Sequence, residues 1–259
     1  MRQYAQRLRA KVEQSRAFIG QTKTPLPLVL DAFQLRRSSF VAETKDRIKL
    51  RMNAGESFTF FENLVRRDYL TNGIKLGLGD TVMDIGANIG SFTVLAATVV
   101  GPFGRVVAYE PVPGCGRRLR DNIELNRLRN VTCYQAAVDG HAGILELFAT
   151  EKSALSTSCI PRSENNDADK ISVKALTIEQ AFNDNGLEKL SLLKIDCEGS
   201  EYEIFETMTS QVACKIDQIA MEVHAVPNRS FGHLETLIRS LGFDLRTIGN
   251  NWFAFRRDS

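Results

Sequence analysis

Beyond residue 80 the chain alternates between short apolar runs and longer stretches whose apolar residues recur every three or four positions. The runs fall near 81–85, 105–110 and 131–138, then in a segment ending in Lys194, Ile195 and Asp196, and at 216–224, which ends in Glu222, Val223 and His224. Helical stretches separate them, at 89–100, at about 114–127 with Leu119 and Ile123 turned inward, and near 231–241. An order of strand, helix, strand, helix predicts parallel strands joined by crossovers. Residues 144–148 and 171–176 alternate apolar and polar and read as two extra strands, and the polar stretch 151–170 between them is the lid candidate. The tail differs: 243–248 and 252–255 flank a Gly249-Asn250-Asn251 turn, and two short strands so closely linked must run antiparallel.

The N-terminal part is helical in pattern. Ala5, Leu8, Val12 and Ile19 fall at three- and four-residue steps, while Arg2, Arg7, Arg9, Lys11 and Arg16 oppose only Glu13. This predicts an amphipathic helix that docks on the domain or on a second subunit in a homodimer, with a solvated basic face. Thr24-Pro25-Leu26-Pro27 breaks the pattern, and Phe61, Leu64, Val65 and Tyr69 mark a second helical stretch leading to Gly77 and Gly79. The expected fold is therefore α/β: a Rossmann-like, doubly wound, mostly parallel sheet with a C-terminal antiparallel hairpin, preceded by N-terminal helices. Residues 1–75 form the helical extension and 76–259 the sheet domain, with a hairpin or lid insertion near 143–176.

Composition changes this picture little. At 259 residues and 28.9 kDa the chain holds one domain with a generous core, and 43% hydrophobic and 25% charged residues are ordinary for a globular protein. A net charge of +2 does not provide the concentrated basic face of a nucleic-acid binder, so no nucleic-acid partner is expected. No run approaches the roughly 18 apolar residues of a membrane span and no secretory leader is visible, which predicts a cytoplasmic protein. The five cysteines, Cys115, Cys133, Cys159, Cys197 and Cys214, lack C-x-x-C pairs and are expected as free thiols.

Chemistry concentrates at strand ends, where open parallel sheets bind ligands. The first strand runs into Asp84, Gly86 and Gly90 at the mouth of a helix. Counting a dinucleotide fingerprint from Gly86 puts Asn88 and Ser91 where the second and third glycines belong. A side chain at the second position fits a cofactor that brings no phosphate to the turn, such as S-adenosylmethionine. Asp84 and the turn Gly86, Asn88, Gly90 would then face the methionine part. Glu110, at the tip of the second strand, is placed to accept both ribose hydroxyls, and Asp139, after the third, the adenine amino group; a solvated strand-end acid and a turn aspartate are the plainer readings.

The densest polar group is Lys194, Asp196, Glu198 and Glu201, with Glu222 and His224 on the following strand. Lys194 sits in an apolar strand and needs a carboxylate such as Glu222 or must reach the pocket. His224, whose ordinary pKa leaves it largely neutral, is the leading base for a hydroxyl acceptor, with Asp196 or Glu222 orienting it or serving instead, and Lys194 stabilising an alkoxide. Asp196, Glu222 and His224 would also suit magnesium or manganese, but their spacing is not diagnostic and no metal is assigned.

The words V-M-D-I-G-A-N-I-G-S-F-T at 82–93, V-A-Y-E-P at 107–111, L-K-I-D-C-E-G-S-E at 193–201 and M-E-V-H at 221–224 resemble those of class I S-adenosylmethionine-dependent methyltransferases, and more narrowly the FkbM family. That resemblance implies S-adenosylmethionine as cofactor, the terminal hairpin, and O-methylation of a small-molecule or sugar acceptor in natural-product or glycan biosynthesis. Methylation of nucleic acid or protein, a nicotinamide oxidoreductase and a noncatalytic cofactor-binding scaffold remain as alternatives.

Overall fold

A computed structural model describes residues 2–149 and 169–257 of the chain. Helix α1 (Arg2–Gln21) is followed by α2 (Pro25–Ala32), where Pro25 occupies a first-turn position that needs no N–H. The apolar stripe expected to dock α1 does not do so: Leu8, Val12 and Ile19 are 44%, 38% and 64% exposed, and the helix is anchored instead by Gln14 and Phe18. Strands β1 (Phe40–Glu43) and β2 (Lys49–Met52) then form an antiparallel hairpin within the stretch expected to be helical. Its signal is the alternation of Phe40, Ala42, Leu50 and Met52, all buried. A short helix α3 (Ser57–Phe60) continues through a wide π-helical turn, Phe61–Arg66, and a single 3₁₀ turn, Asp68–Leu70, to the sheet domain.

The domain proceeds through β3 (Thr81–Ile85), α4 (Ser91–Val100), β4 (Arg105–Tyr109), α5 (Pro113–Leu125), β5 (Val131–Tyr134), β6 (Ala137–Val138), β7 (Gly143–Ala149), β8 (Asp169–Leu176), α6 (Ile178–Asp184) and β9 (Leu192–Ile195). It ends with α7 (Glu201–Thr207), α8 (Ser210–Ala213), β10 (Gln218–Glu222), α9 (Phe231–Ser240), β11 (Phe243–Ile248) and β12 (Asn251–Arg256). Seven strands form the main sheet in the order β11-β12-β10-β9-β3-β4-β5. Strands β3, β4, β5, β9 and β10 are parallel, and the hairpin inserts its second strand, β12, antiparallel beside β10. This is the expected α/β architecture, and the chain reverses its direction of travel across the sheet at β3.

Two boundaries differ from expectation. The run 131–138 is not one strand: β5 stays in the main sheet, while β6 joins β8 and β7 in a separate three-stranded sheet. The fifth parallel strand covers Gln218–Glu222 only, leaving Val223 and His224 beyond its end. The two extra strands are present as the antiparallel pair β7 and β8. The lid candidate lies almost entirely outside the described residues.

Alternate residues of each strand serve opposite layers. Met83, Ile85, Leu193, Ile195, Ile219 and Met221 pack with α6, α7 and α9, while Val82, Leu192, Ala220 and Phe253 pack with Phe92, Ala96 and Ala97 of α4. Phe18, Leu28, Leu50, Phe60 and Leu64 of the N-terminal part share a core with Ile89, Val94 and Leu95. Side-chain amides of α5 stand in for a further strand along β2: Asn122 pairs with the backbone of Arg51 and Asn126 with that of Lys49, at 2.7–3.2 Å.

Candidate active site

The turn after β3 is shaped by close approach of main chains. Gly86 has φ +76, and a Cβ there would lie 1.8 Å from the carbonyl oxygen of Asp196, so only glycine lets the ends of β3 and β9 meet. Gly90 precedes α4 at φ +87 and would clash with Leu119 of α5. Between them Asn88 is left-handed at φ 52, which asparagine tolerates, and its backbone N–H donates to Glu110 at 2.7 Å. The other Glu110 oxygen accepts from the N–H of Val112 at 2.8 Å. Glu110 is thereby fixed with lone-pair capacity left on both oxygens, on the wall of a cavity it shares with Gly86, Asn88 and Tyr109. Burial pushes its carboxyl up to about 7, against the two backbone hydrogen bonds.

Ala136, Ala137, Val138 and Leu147 give the cavity an apolar wall. A carboxylate aimed into a cavity with one apolar wall fits the ribose and base of an adenosine group. Asp139 is not on that wall: it is half-buried, burial raises its pKa, and its carboxylate is engaged by the side chain of Ser200 and the N–H of Gly140. Gly90 does not line the cavity either.

Asp84 and Lys194 are register partners on neighbouring strands, on the face of the sheet that carries Val82 and Leu192. Both are buried, and they form an ion pair at 3.0 Å. Thr93 donates to Asp84 at 2.5 Å, and the Lys194 ammonium donates to the carbonyl of Gly86 at 2.8 Å. Two expectations change: the partner of Lys194 is Asp84, not Glu222, and the Asp84 carboxylate is engaged by Lys194 and Thr93 and does not line the cavity. Burial works against the charge of Lys194, but Asp84 and Asp196 outweigh it and hold its pKa up. The pair locks the glycine turn to β9.

Because β9 and β10 are neighbours, their ends come together. Ligand atoms of Asp196, Glu222 and His224 all lie within 4.8 Å of one another. His224 Nδ1 is 2.9 Å from Oε1 of Glu201, a fully buried residue at the start of α7, and Nε2 lies 3.6 Å from Glu198 and 4.0 Å from Asp196. Burial would strip the imidazole of its proton, but the hydrogen bond and charge of Glu201, then Asp196 and Glu198, prevail and raise its pKa to about 9. The expectation of a largely neutral histidine is thus overturned for the protein alone, through acids the strand pattern did not connect to it. Glu198 holds a left-handed backbone at φ 55, and with Asp196 and Cys197 it lines the same cavity as Glu110.

Two residues from the N-terminal part complete the site. Tyr69 packs its ring against Phe92, stands 5.3 Å from the Lys194 ammonium, and donates its hydroxyl to Asp196 at 2.9 Å. Glu62, half-buried, has its pKa raised to about 8 by burial and then by the charges of Asp196 and Glu222. Nothing in the sequence singled out Glu62. Glu201 was visible in the polar cluster, but its pairing with a histidine on another element was not.

The sequence profile of the methyltransferase FkbM domain matches residues 84–245, more than half of the chain and all of the site beyond the N-terminal part. The chain is 29% identical over 231 residues to 31-O-demethyl-FK506 methyltransferase FkbM of Streptomyces tacrolimicus, covering 78% of this chain and 88% of that protein. It is 26% identical over 199 residues to methyltransferase sdnD of Sordaria araneosa, covering 66% and 76% respectively. The crystal structure of methyltransferase FkbM from Methylobacillus flagellatus KT is 14% identical with a TM-score of 0.49, covering 78% of this chain and 54% of that one, too distant to bear on the site. The chain belongs to the FkbM family of methyltransferases, and S-adenosylmethionine is its cofactor.

Proposed function

We propose that this protein transfers a methyl group from S-adenosylmethionine to a hydroxyl of a small molecule or sugar. The observation that carries the reading is the loop 196–198, which lines the cavity holding Glu110 and also presents Asp196 and Glu198 to His224. A cofactor side and a proton-handling side are thereby adjacent. The name of the Streptomyces relative, a 31-O-demethyl-FK506 methyltransferase, supports a hydroxyl as the acceptor.

In this reading Glu110 holds the ribose hydroxyls, the backbone of Gly86 and Asn88 borders the amino-acid end, and Ala137 and Val138 flank the base. Asp84, Lys194 and Gly90 act by fixing the turn; Asp139 steadies Ser200. When bound, the sulfonium supplies the methyl group: the acceptor oxygen's lone pair forms the C–O bond while the C–S pair returns to sulfur. The chain must align the hydroxyl with the methyl carbon and give its proton a way out. Asp196, Glu222 and His224 form the acceptor side, with Glu201 orienting the imidazole so that Nε2 faces Asp196 and Glu198. Residues 1–75 serve as an extension of the 76–259 domain that closes this side through Tyr69 and Glu62.

The test is calorimetric titration with S-adenosylmethionine, S-adenosylhomocysteine and NAD, followed by a screen of hydroxylated acceptors with methyl-labelled cofactor. Micromolar binding of the two adenosyl compounds, weakened at least tenfold by Glu110→Ala and absent for NAD, is expected. His224→Ala should retain binding and lose about 10²-fold or more in turnover. Equal loss of cofactor binding in both variants would defeat the division into two sides, and a product methylated on nitrogen would defeat the acceptor class.

A further inference from the structure

Asp196, Glu222 and His224 present one oxygen, one oxygen and one nitrogen within 4.8 Å of one another, from two neighbouring strand ends. Three atoms so close have a common point no more than about 2.8 Å from each (4.8/√3), which small side-chain rotations bring to the bond lengths of a divalent cation. The imidazole is already set for such a role. Its Nδ1 is hydrogen-bonded to Glu201 at 2.9 Å, leaving Nε2 on the side of Asp196. A carboxylate behind a histidine, fixing its tautomer and raising its basicity, is the usual support of a metal-binding imidazole.

Charge points the same way. Glu201 is fully buried and its second oxygen, Oε2, has no hydrogen-bond donor among the described residues. Asp196 and Glu198 stand 4.0 and 3.6 Å from the imidazole that Glu201 holds, and Glu222 belongs to the same group. The nearby cation, Lys194, is committed to Asp84 at 3.0 Å and to the Gly86 carbonyl at 2.8 Å, and stands 3.9 Å from Asp196. Carboxylates gathered round a histidine whose Nδ1 is held by Glu201 make a donor set for a cation, which displaces the imidazole proton on binding.

We propose that Asp196, Glu222 and His224 bind a hard divalent cation, magnesium or manganese, which receives the acceptor oxygen. The carboxylate-rich donor set selects this class over softer metals. Asp196 also lines the cavity, so a cation held by the three side chains would border it, and the acceptor hydroxyl would take a coordination position otherwise filled by water. On the cation the hydroxyl becomes more acidic and its proton leaves to solvent, so that the three side chains act as ligands rather than as the proton acceptor. The acceptor's part rests on the O-methyl transfer reading; the cation site stands without it.

The experiment is titration of the full chain with Mn²⁺, reading free Mn²⁺ by its electron paramagnetic resonance signal, with Mg²⁺ as competitor and no cofactor present. One site per chain is expected, displaced by Mg²⁺. Asp196→Asn and Glu222→Gln should each weaken it at least tenfold, and Glu201→Gln by about 10- to 100-fold. Glu110→Gln, on the cofactor side, should leave it unchanged. Far-ultraviolet circular dichroism of each variant checks that the fold is retained. No saturable Mn²⁺ binding below millimolar concentration, or binding indifferent to both Asp196→Asn and Glu222→Gln, would overturn the site. Mn²⁺ binding without any S-adenosylmethionine binding would instead sink the methyl-transfer reading and leave the cation site standing.

Discussion

Glu110 keeps its carboxyl where burial resists ionisation, with a pKa of about 7, and this gives cofactor affinity a pH dependence of known sign. Lys194 pulls the value down, Asp84 pushes it up, and the buried Cys115 thiol is a further neighbour. Ribose hydroxyls donate to the ionised form, so binding lowers the pKa and releases a proton wherever the free group is protonated. Affinity is then constant above about pH 7 and falls below it, by up to about tenfold per pH unit. In the unliganded fold the same shift acts in reverse, its contribution to stability declining as pH rises from 4.5 towards about 7. Titration with S-adenosylhomocysteine between pH 5.5 and 8.5 should show that fall, and Glu110→Gln should bind more weakly with a flat profile; a flat wild-type profile would remove Glu110 from the ribose. The position of Glu110 was legible because a strand end and a fixed distance from the glycine turn define it. Partners were not. For Lys194 the choice stayed between a carboxylate such as Glu222 and the pocket, because period two shows which side chains share a face but not which strand lies alongside; the register that opposes Asp84 to Lys194 is a property of the sheet. His224 and Glu201 are 23 residues apart on different elements, and no local pattern links them.

Strand ends and the turns between them set how the site is assembled, and Gly86 is the tightest joint. Its φ of +76 disfavours any side chain by roughly 1–2 kcal/mol. A Cβ 1.8 Å from the Asp196 carbonyl adds the overpacking cost of about 1–3 kcal/mol, since the obstacle is backbone held by β9 and cannot rotate away. Gly86→Ala should therefore lose roughly 2–5 kcal/mol in denaturant unfolding and weaken both cofactor and Mn²⁺ binding, because relieving the clash moves Asp196. Unchanged stability would mean that the two strand ends do not meet as described. At this scale the parallel strands, their crossover helices and the terminal hairpin were all readable, since each has a long apolar pattern or a short turn. The split between β5 and β6 was not, because Gln135 and Ala136 carry no glycine or proline to mark the change of sheet. The pair β1 and β2 escaped because four-residue strands give too few periods to stand against a helical expectation, although the alternation is present in retrospect.

The N-terminal part and the sheet domain are one folding unit to the extent that they share a core, and Phe18 decides the point. Its side chain is fully buried among Phe60, Phe61 and the Ile89, Val94 and Leu95 group at the start of α4, with ring centroids 6.3 and 5.7 Å from the two phenylalanines. The sequence could not show this, because a helical stripe tells which residues are apolar and not which face meets the domain. The stripe Leu8, Val12, Ile19 won on periodicity, whereas among the described side chains of α1 the buried ones are Gln14 and Phe18, in its C-terminal half. Truncating Phe18 removes a large ring from a packed core and should cost about 3–5 kcal/mol. Trp252, the single tryptophan, reports from the far end of the sheet, on β12. If the core is shared, Phe18→Ala lowers the midpoint seen by Trp252 fluorescence and by far-ultraviolet circular dichroism together, and the two transitions stay coincident. If the N-terminal part is instead an independent appendage, dichroism acquires an early phase while the Trp252 transition does not move. The first outcome also requires that Tyr69 and Glu62 keep their places only while the shared core holds, so cofactor-side and acceptor-side binding should be lost in the same transition.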